Sequence, residues 1–202
     1  MPEFATPLGV LSLWAMVAYF IGSIPSGILI ARAMGLGNLR EIGSGNIGAT
    51  NVLRTGSKKA AASTLALDAG KGLAAVWLAS FFAGPTAAQV AGFAVMIGHC
   101  FPVWLKFRGG KGVATFFGVV FALAWPLGLV AAVAWLGTAY LFRYSSLAAL
   151  VAVVAAPVAA LLVGFTGLVS LLGCLCALIV WRHAENIRRL LAGTESKIGK
   201  RR

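Results

Sequence analysis

Residues Leu147 to Val163 read LAALVAVVAAPVAALLV, without one charged or amide side chain. A helix of this composition has no polar face to turn to water, so its surroundings must be apolar on every side. Comparable runs recur along the whole chain. Of its 202 residues 60% are hydrophobic and only 11% are charged, and the mean hydropathy is +0.92. Soluble chains keep about a quarter of their residues charged, so an ordinary soluble protein is excluded. Twenty-five glycines and the lack of alternating, strand-like segments favour packed helices over a barrel.

The net charge of +12 could serve nucleic acid, but its distribution argues otherwise. Arg32, Arg40, Arg54, Lys58 and Lys59 bracket one polar stretch and Lys106, Arg108 and Lys111 another. Arg143 stands alone, and the tail holds Arg182, Arg188, Arg189, Lys197, Lys200, Arg201 and Arg202. The breaks at Ala83 to Ala87, Trp125 to Gly128 and Gly164 to Gly167 carry no charge. Basic loops stay on the cytoplasmic side of a membrane, so alternate connections face alternate sides.

Spans are therefore expected at Leu8 to Ala31, Ala60 to Phe82, Thr86 to Leu105, Val113 to Trp125, Leu127 to Phe142, Leu147 to Val163 and Leu168 to Trp181. The expectation is one all-α, polytopic membrane domain over residues 1–202 with seven transmembrane helices, the amino terminus outside and the carboxyl terminus cytoplasmic. Five crossings result if Val113 to Phe142 and Leu147 to Trp181 each form one helix, but the latter would be about 52 Å long at about 1.5 Å per residue. The first span is an anchor and not a signal peptide, because Glu3 precedes it and Arg32 follows it. Gly22, Ser23, Pro25, Ser26 and Gly27 make its inner half small and kinked, for close packing or for lining a site. Residues 196–202 are expected to be a disordered, lipid-facing basic tail. Cys100, Cys174 and Cys176 show no disulfide or metal spacing and are expected to be small core residues.

Chemistry must reside in the polar segments. Ser44-Gly45-Asn46-Ile47-Gly48-Ala49-Thr50-Asn51 alternates glycine with hydroxyl and amide side chains, and Arg54 follows; such a loop can turn backbone N–H groups towards an anion, or simply be a re-entrant turn. Arg108-Gly109-Gly110-Lys111-Gly112 runs into a helix start before Thr115. There free N–H groups, the positive helix end and two cations can meet a phosphate, unless the turn is merely topogenic. It is not a Walker A loop, since Leu105 and Gly112 stand where that motif needs Gly and Ser/Thr. In the third segment His183 and Asn186 share a helical face, flanked by Arg182, Glu185 and Arg189; a membrane-surface helix is the alternative. Asp68 and Lys71 fall inside the second span, where each alone costs about 2.5 to 3.5 kcal/mol. Three positions apart on a helix they can pair, as a structural pair or as one wall of a site.

Taken in order, SGNIGATN with Arg54, then FRGGKGVAT, then HAENIRRLLAGTE, these segments resemble the bacterial acyl-phosphate:glycerol-3-phosphate acyltransferase family (PlsY) over Ile21 to Gly199. The resemblance implies an enzyme of the inner membrane, with its active site facing the cytoplasm. It would transfer a fatty acyl group from acyl phosphate to the 1-hydroxyl of glycerol 3-phosphate, forming lysophosphatidic acid and phosphate in the first acylation of phospholipid synthesis. The partners implied are those two substrates and membrane lipids, with no cofactor, metal, nucleic acid or obligate protein partner. Carried over residue by residue, Ser44, Arg54, Lys111, His183 and Asn186 would be catalytic. Asn46, Thr50, Asn51, Arg108, Gly109, Gly110, Gly112, Thr115, Arg189 and Glu195 would bind substrate.

The residues bound the mechanism further. The HxxxxD pair of other glycerolipid acyltransferases is absent, because Trp104 follows His99 and Arg188 follows His183 at that spacing. A GxSxG elbow is absent too, since Gly43 directly precedes Ser44. Direct attack without a covalent intermediate is expected, with Ser44, Arg54 and Lys111 on the developing charge. Either His183 or the substrate's own phosphate, with a second pKa of about 6, takes the proton; the phosphate is preferred, with His183 and Asn186 as positioners. A transporter is the alternative function, disfavoured because the outer turns carry no charge.

Overall fold

The computed structural model describes residues 6–199, and everything described is helix, turn or loop. Residues 1–5 and 200–202, including part of the expected tail, lie outside the described residues. Contacts divide the chain into two compact units, one ending at Leu123 and one beginning at Ala124.

The first unit holds α1 (Leu8–Gly22), α2 (Ser26–Ala33), the short α3 (Ala49–Val52), the long α4 (Lys58–Cys100) and α5 (Val113–Leu123). Pro25 has no N–H to continue α1 into α2, and the break leaves backbone carbonyls without helical partners. Two are taken by distant side chains: the Ser23 carbonyl accepts from Trp104 Nε1 at 2.7 Å and the Ile24 carbonyl from Lys71 Nζ at 2.9 Å. The small residues around this break serve packing. Gly22 lies against the Val95 backbone, and Ser23 and Ser26 are buried.

α4 begins at Ser57, whose Oγ accepts from the Ala60 N–H. It is not straight. Gly84 has φ 85 and ψ −176, outside the helical region, and Pro85 follows. His99 Nδ1 lies 3.7 Å from Asp68 Oδ1, whereas a straight helix would hold them about 46 Å apart at about 1.5 Å per residue. The chain therefore reverses at Gly84, and α4 is two antiparallel limbs. α1 lies along both, with Thr6 Oγ1 reaching the Ala83 carbonyl near the reversal and Tyr19 Oη donating to the Phe101 carbonyl at the far end.

The second unit holds α6 (Trp125–Phe142), α7 (Ser145–Leu162), α8 (Val169–Arg182) and α9 (Ala184–Leu191). Pro126 sits in the first turn of α6, where a missing N–H costs nothing, and it ends any continuation of α5. Arg143, at φ 62, separates α6 from α7. Gly164, at φ 85, ends the α7 stretch before α8.

The expectation of seven crossings is corrected here. Among the described residues four helical stretches are long and apolar enough to cross a membrane: Leu8–Ala33, Lys58–Leu105, Trp125–Phe142 and Ser145–Leu162. A fifth is added if Thr166–Arg182 and Ala184–Leu191, bent by 61°, form one span. α5 has only 11 residues, about 16 Å of helix against a hydrocarbon core of about 30 Å. The two spans expected over Ala60 to Phe82 and Thr86 to Leu105 belong to one helical stretch that doubles back. A count of five stays open through that bent pair, but not by the fusions expected, because α5 and α6, and likewise α7 and α8, are separate helices. Orientation of the termini was inferred from the count of seven and loses that support.

The cysteine expectation also changes. Cys100 is buried, but Cys176 is half-buried and Cys174 exposed. In an apolar solvent a small residue gains nothing by facing inward.

Candidate active site

The first polar segment is an anchored loop. Leu39, Ile47 and Val52 bury their side chains, and Leu39 and Val52 join Ala31 of α2 and Ala60 of α4 in one cluster. Ser44 stands exposed between Gly43 and Gly45, at φ 55 and 66, a left-handed conformation that glycine adopts at little cost. Asn51 organises this turn from inside: its Oδ1 accepts from the Ser44 N–H at 3.0 Å and lies 3.3 Å from Ser44 Oγ. Its Nδ2 donates to the carbonyls of Leu39 at 3.0 Å and Asn46 at 2.7 Å. Asn51 is 2% exposed, so its polar groups are committed to the loop. Asn46 Oδ1 likewise accepts from the Ile47 N–H. Arg54 lies across Gly43, its Cδ and Nη1 occupying the space where a side chain there would stand. Thr50 is exposed at the first turn of α3.

The second segment follows α4. Gly109 and Gly110 donate their N–H groups to the carbonyls of Cys100 at 3.0 Å and His99 at 3.1 Å. Two amides expected to face a phosphate are thus spent on pinning the turn to the end of α4. Both glycines are buried against His99, and a Cβ on Gly110 would overlap the imidazole. Gly112, at φ 85, packs on Met96. Arg108 is exposed and Lys111 half-buried, one on each side of this glycine pair. Thr115 is fully buried, its Oγ1 3.2 Å from His99 Nδ1. Arg40 joins the two segments, donating from Nη1 to the Gly45 carbonyl at 3.2 Å and from Nη2 to the Arg108 carbonyl.

Asp68 and Lys71 form the pair that their spacing allows, with Nζ 2.7 Å from Oδ1 and both side chains buried. Cysteine, histidine and carboxylate side chains form no group of three able to hold a metal among the described residues.

The third segment lies in the second unit. His183 is buried at the bend between α8 and α9, with Nδ1 2.8 Å from the Ile179 carbonyl. A carbonyl only accepts, so Nδ1 carries a proton. Asn186 is also buried, its Nδ2 donating to Glu195 Oε1 at 2.7 Å. The same carboxylate accepts from Ser146 Oγ at 2.8 Å and from Arg189 Nε at 2.6 Å. Burial alone would push the Glu195 carboxyl up; the hydrogen bonds from Arg189, Asn186 and Ser146, with the Arg189 charge, outweigh it and hold the carboxyl below the usual range.

Of the residues expected from sequence, the first unit brings together Ser44, Asn51 and Arg54, and separately Asp68, Lys71, Gly110 and Thr115 around His99. The second brings together Asn186, Arg189 and Glu195. Sequence reasoning missed Arg40, His99 and Ser146. Arg40 and His99 sit within or beside the quoted motifs, and only their partners reveal what they do.

The chain is 63% identical over 199 residues to a glycerol-3-phosphate acyltransferase of Dinoroseobacter shibae, covering 98% of each chain. It is 60% identical to that of Ruegeria sp. (strain TM1040), covering 100% of each. It is similar to the crystal structure of PlsY, an integral membrane glycerol 3-phosphate acyltransferase, in its glycerol 3-phosphate form, with a TM-score of 0.89, 38% identity and coverage of 94% of this chain and 96% of that one. The lysophosphatidic acid form matches with a TM-score of 0.86 at 36% identity, covering 94% and 95%. This is an integral membrane protein of the bacterial PlsY type. With the family's own pattern matching residues 12–193, the chain belongs to the glycerol-3-phosphate acyltransferase family.

Proposed function

We propose that the chain transfers a fatty acyl group from acyl phosphate to the 1-hydroxyl of glycerol 3-phosphate at the cytoplasmic face of the inner membrane. The observation that carries this reading is the pair of glycine turns presenting Ser44 and Arg54 on one and Arg108 and Lys111 on the other, tied by Arg40. Both substrates bear phosphate, and cations held on rigid turns bind phosphate without first being ordered.

In the reaction the 1-hydroxyl oxygen attacks the acyl carbonyl carbon, a C–O bond forms, and the bond to the phosphate oxygen breaks. An acyl phosphate is a mixed anhydride with a good leaving group, so no covalent enzyme intermediate is needed. Ser44, Arg54 and Lys111 stabilise charge on the carbonyl oxygen and the departing phosphate. With the Gly109 and Gly110 amides committed elsewhere, this work falls to side chains and to the start of α5. The proton passes to substrate phosphate, whose second pKa of about 6 suits the task. His183 and Asn186 act as positioners of the acceptor. Arg108, Arg189, Asn46, Thr50 and the glycines shape the substrate's surroundings, while Asn51, Thr115 and Glu195 act through the residues they hold.

The cytoplasmic placement rests on charge. Arg40, Arg54, Lys58, Lys59, Lys106, Arg108 and Lys111 flank the limbs of α4 away from the uncharged reversal at Gly84, the distribution expected of loops that are not translocated. Incubating the purified protein with palmitoyl phosphate and labelled glycerol 3-phosphate should give labelled lysophosphatidic acid. Turnover with acyl-CoA as sole donor and none with acyl phosphate would overturn the reading.

A further inference from the structure

We propose that His99 is a positioning residue for the glycine-rich turn, gripping it on both sides of Lys111, and that the buried Asp68–Lys71 pair exists to hold that imidazole in place. This rests on the phosphate-binding role given above to Lys111.

On one side of Lys111, His99 meets Gly110 twice: its carbonyl accepts the Gly110 N–H at 3.1 Å, and its ring fills the space where a Gly110 side chain would stand. On the other side, in the first turn of α5, the Thr115 hydroxyl lies 3.2 Å from Nδ1. Lys111 is thus carried on a short bridge of chain with both ends resting on one ring. The nitrogen that meets Thr115 also faces the ion pair. Asp68 Oδ1 lies 3.7 Å from Nδ1, and Lys71 Nζ lies 2.7 Å from the same oxygen. Lys71 is tied in turn to the Ile24 carbonyl at the break between α1 and α2. All four side chains are buried: Thr115 at 0%, Asp68 at 3%, His99 at 5% and Lys71 at 8% exposed.

A buried ion pair is weak evidence for stability, because apolar side chains of similar volume often replace it at no loss. Ionisable groups within a membrane domain are expensive and tend to mark function. Here the pair lies against the ring that supports the turn carrying Lys111. Asp68 and Lys71 accordingly act through His99 and do not touch substrate.

The test is a double-mutant cycle on the purified full chain, with kcat and KM for glycerol 3-phosphate and the melting temperature measured for each variant. His99→Gln should keep the wild-type melting temperature and lower kcat/KM about tenfold. On a Lys111→Ala background the same change should cost less than about twofold, because the turn it positions no longer bears the cation. The paired change Asp68→Leu with Lys71→Met should leave melting unchanged or higher and still lower kcat/KM about tenfold, with the same loss of effect beside Lys111→Ala; it decides the matter if His99→Gln does not fold. An undiminished effect on the Lys111→Ala background, or wild-type activity in either variant, would overturn the inference while leaving the phosphate site intact. Wild-type kinetics for Lys111→Ala alone would instead remove the phosphate site, and the inference with it.

Discussion

The guanidinium of Arg40 donates to the carbonyl of Arg108, 68 positions further along the chain, while its other arm holds the Gly45 carbonyl. One planar fork thus spans the two glycine turns. Arg40→Ala should leave folding intact, since the side chain is exposed, and lower kcat/KM by about three- to tenfold, less than a buried charged hydrogen bond contributes. Arg40→Lys should restore little, because an ammonium cannot point along both directions. Steady-state kinetics with both substrates varied would check this.

Arg54→Ala and Lys111→Ala should each lower kcat/KM by about ten- to more than a hundredfold, as expected for losing a charge-assisted contact of about 1.5 to 3 kcal/mol to a phosphate or a developing oxyanion. Arg54→Lys should rescue little. Wild-type kinetics in a folded Lys111→Ala protein would make the glycine-rich turn a topogenic loop only.

The Glu195 carboxylate gives the second unit a pH dependence of definite sign. Its carboxyl is held below the ordinary carboxylate range, so the order it imposes on Asn186, Arg189 and Ser146 is fully present above the unfolded pKa of about 4.3. That contribution is lost as the pH falls through the lower, folded value. Glu195→Gln should weaken α9 at neutral pH and flatten the acid limb of a protease-protection or hydrogen-exchange profile over this segment. An acid limb unchanged in the variant would show that another group controls it.

Single cysteines at Lys58 and Thr194, both exposed, should react in intact cells only with membrane-permeant reagents, in a background where Cys174 and Cys176 are alanine. Labelling of either by an impermeant reagent would break the one-sided site. Gly109, which looks suitable from the sequence, is a poor choice because a side chain there would strike the His99 carbonyl.

Helical membrane character was legible from runs such as Leu147 to Val163, and the polar segments from their interruption of such runs. The pairing of Asp68 with Lys71 was legible too, because three positions on a helix fix the distance between them. The number of spans was not. Apolar length does not reveal that Gly84 adopts a non-helical conformation and folds one helical stretch back on itself. It does not show that α5 stops after 11 residues, either. The role of His99 depends on that reversal, since only then does it face Asp68 across 31 positions of sequence. Likewise, a glycine-rich composition offers N–H groups in general but cannot say that those of Gly109 and Gly110 are already taken by α4 carbonyls. Ser146 sits 49 positions before Glu195, a pairing that no local pattern encodes.

The reversal at Gly84 also bears on how this chain enters a bilayer. The limbs of α4 can be inserted together as a loop whose leading tip, Ala83 to Ala87, carries no charge. Its basic flanks then never cross the hydrocarbon, where each cation would cost about 2.5 to 3.5 kcal/mol. The charges that do enter with the limbs are Asp68 and Lys71, which go in one helical turn apart and already neutralise each other. Pairing within a single limb needs no tertiary partner, because one helical turn alone brings the two charges together.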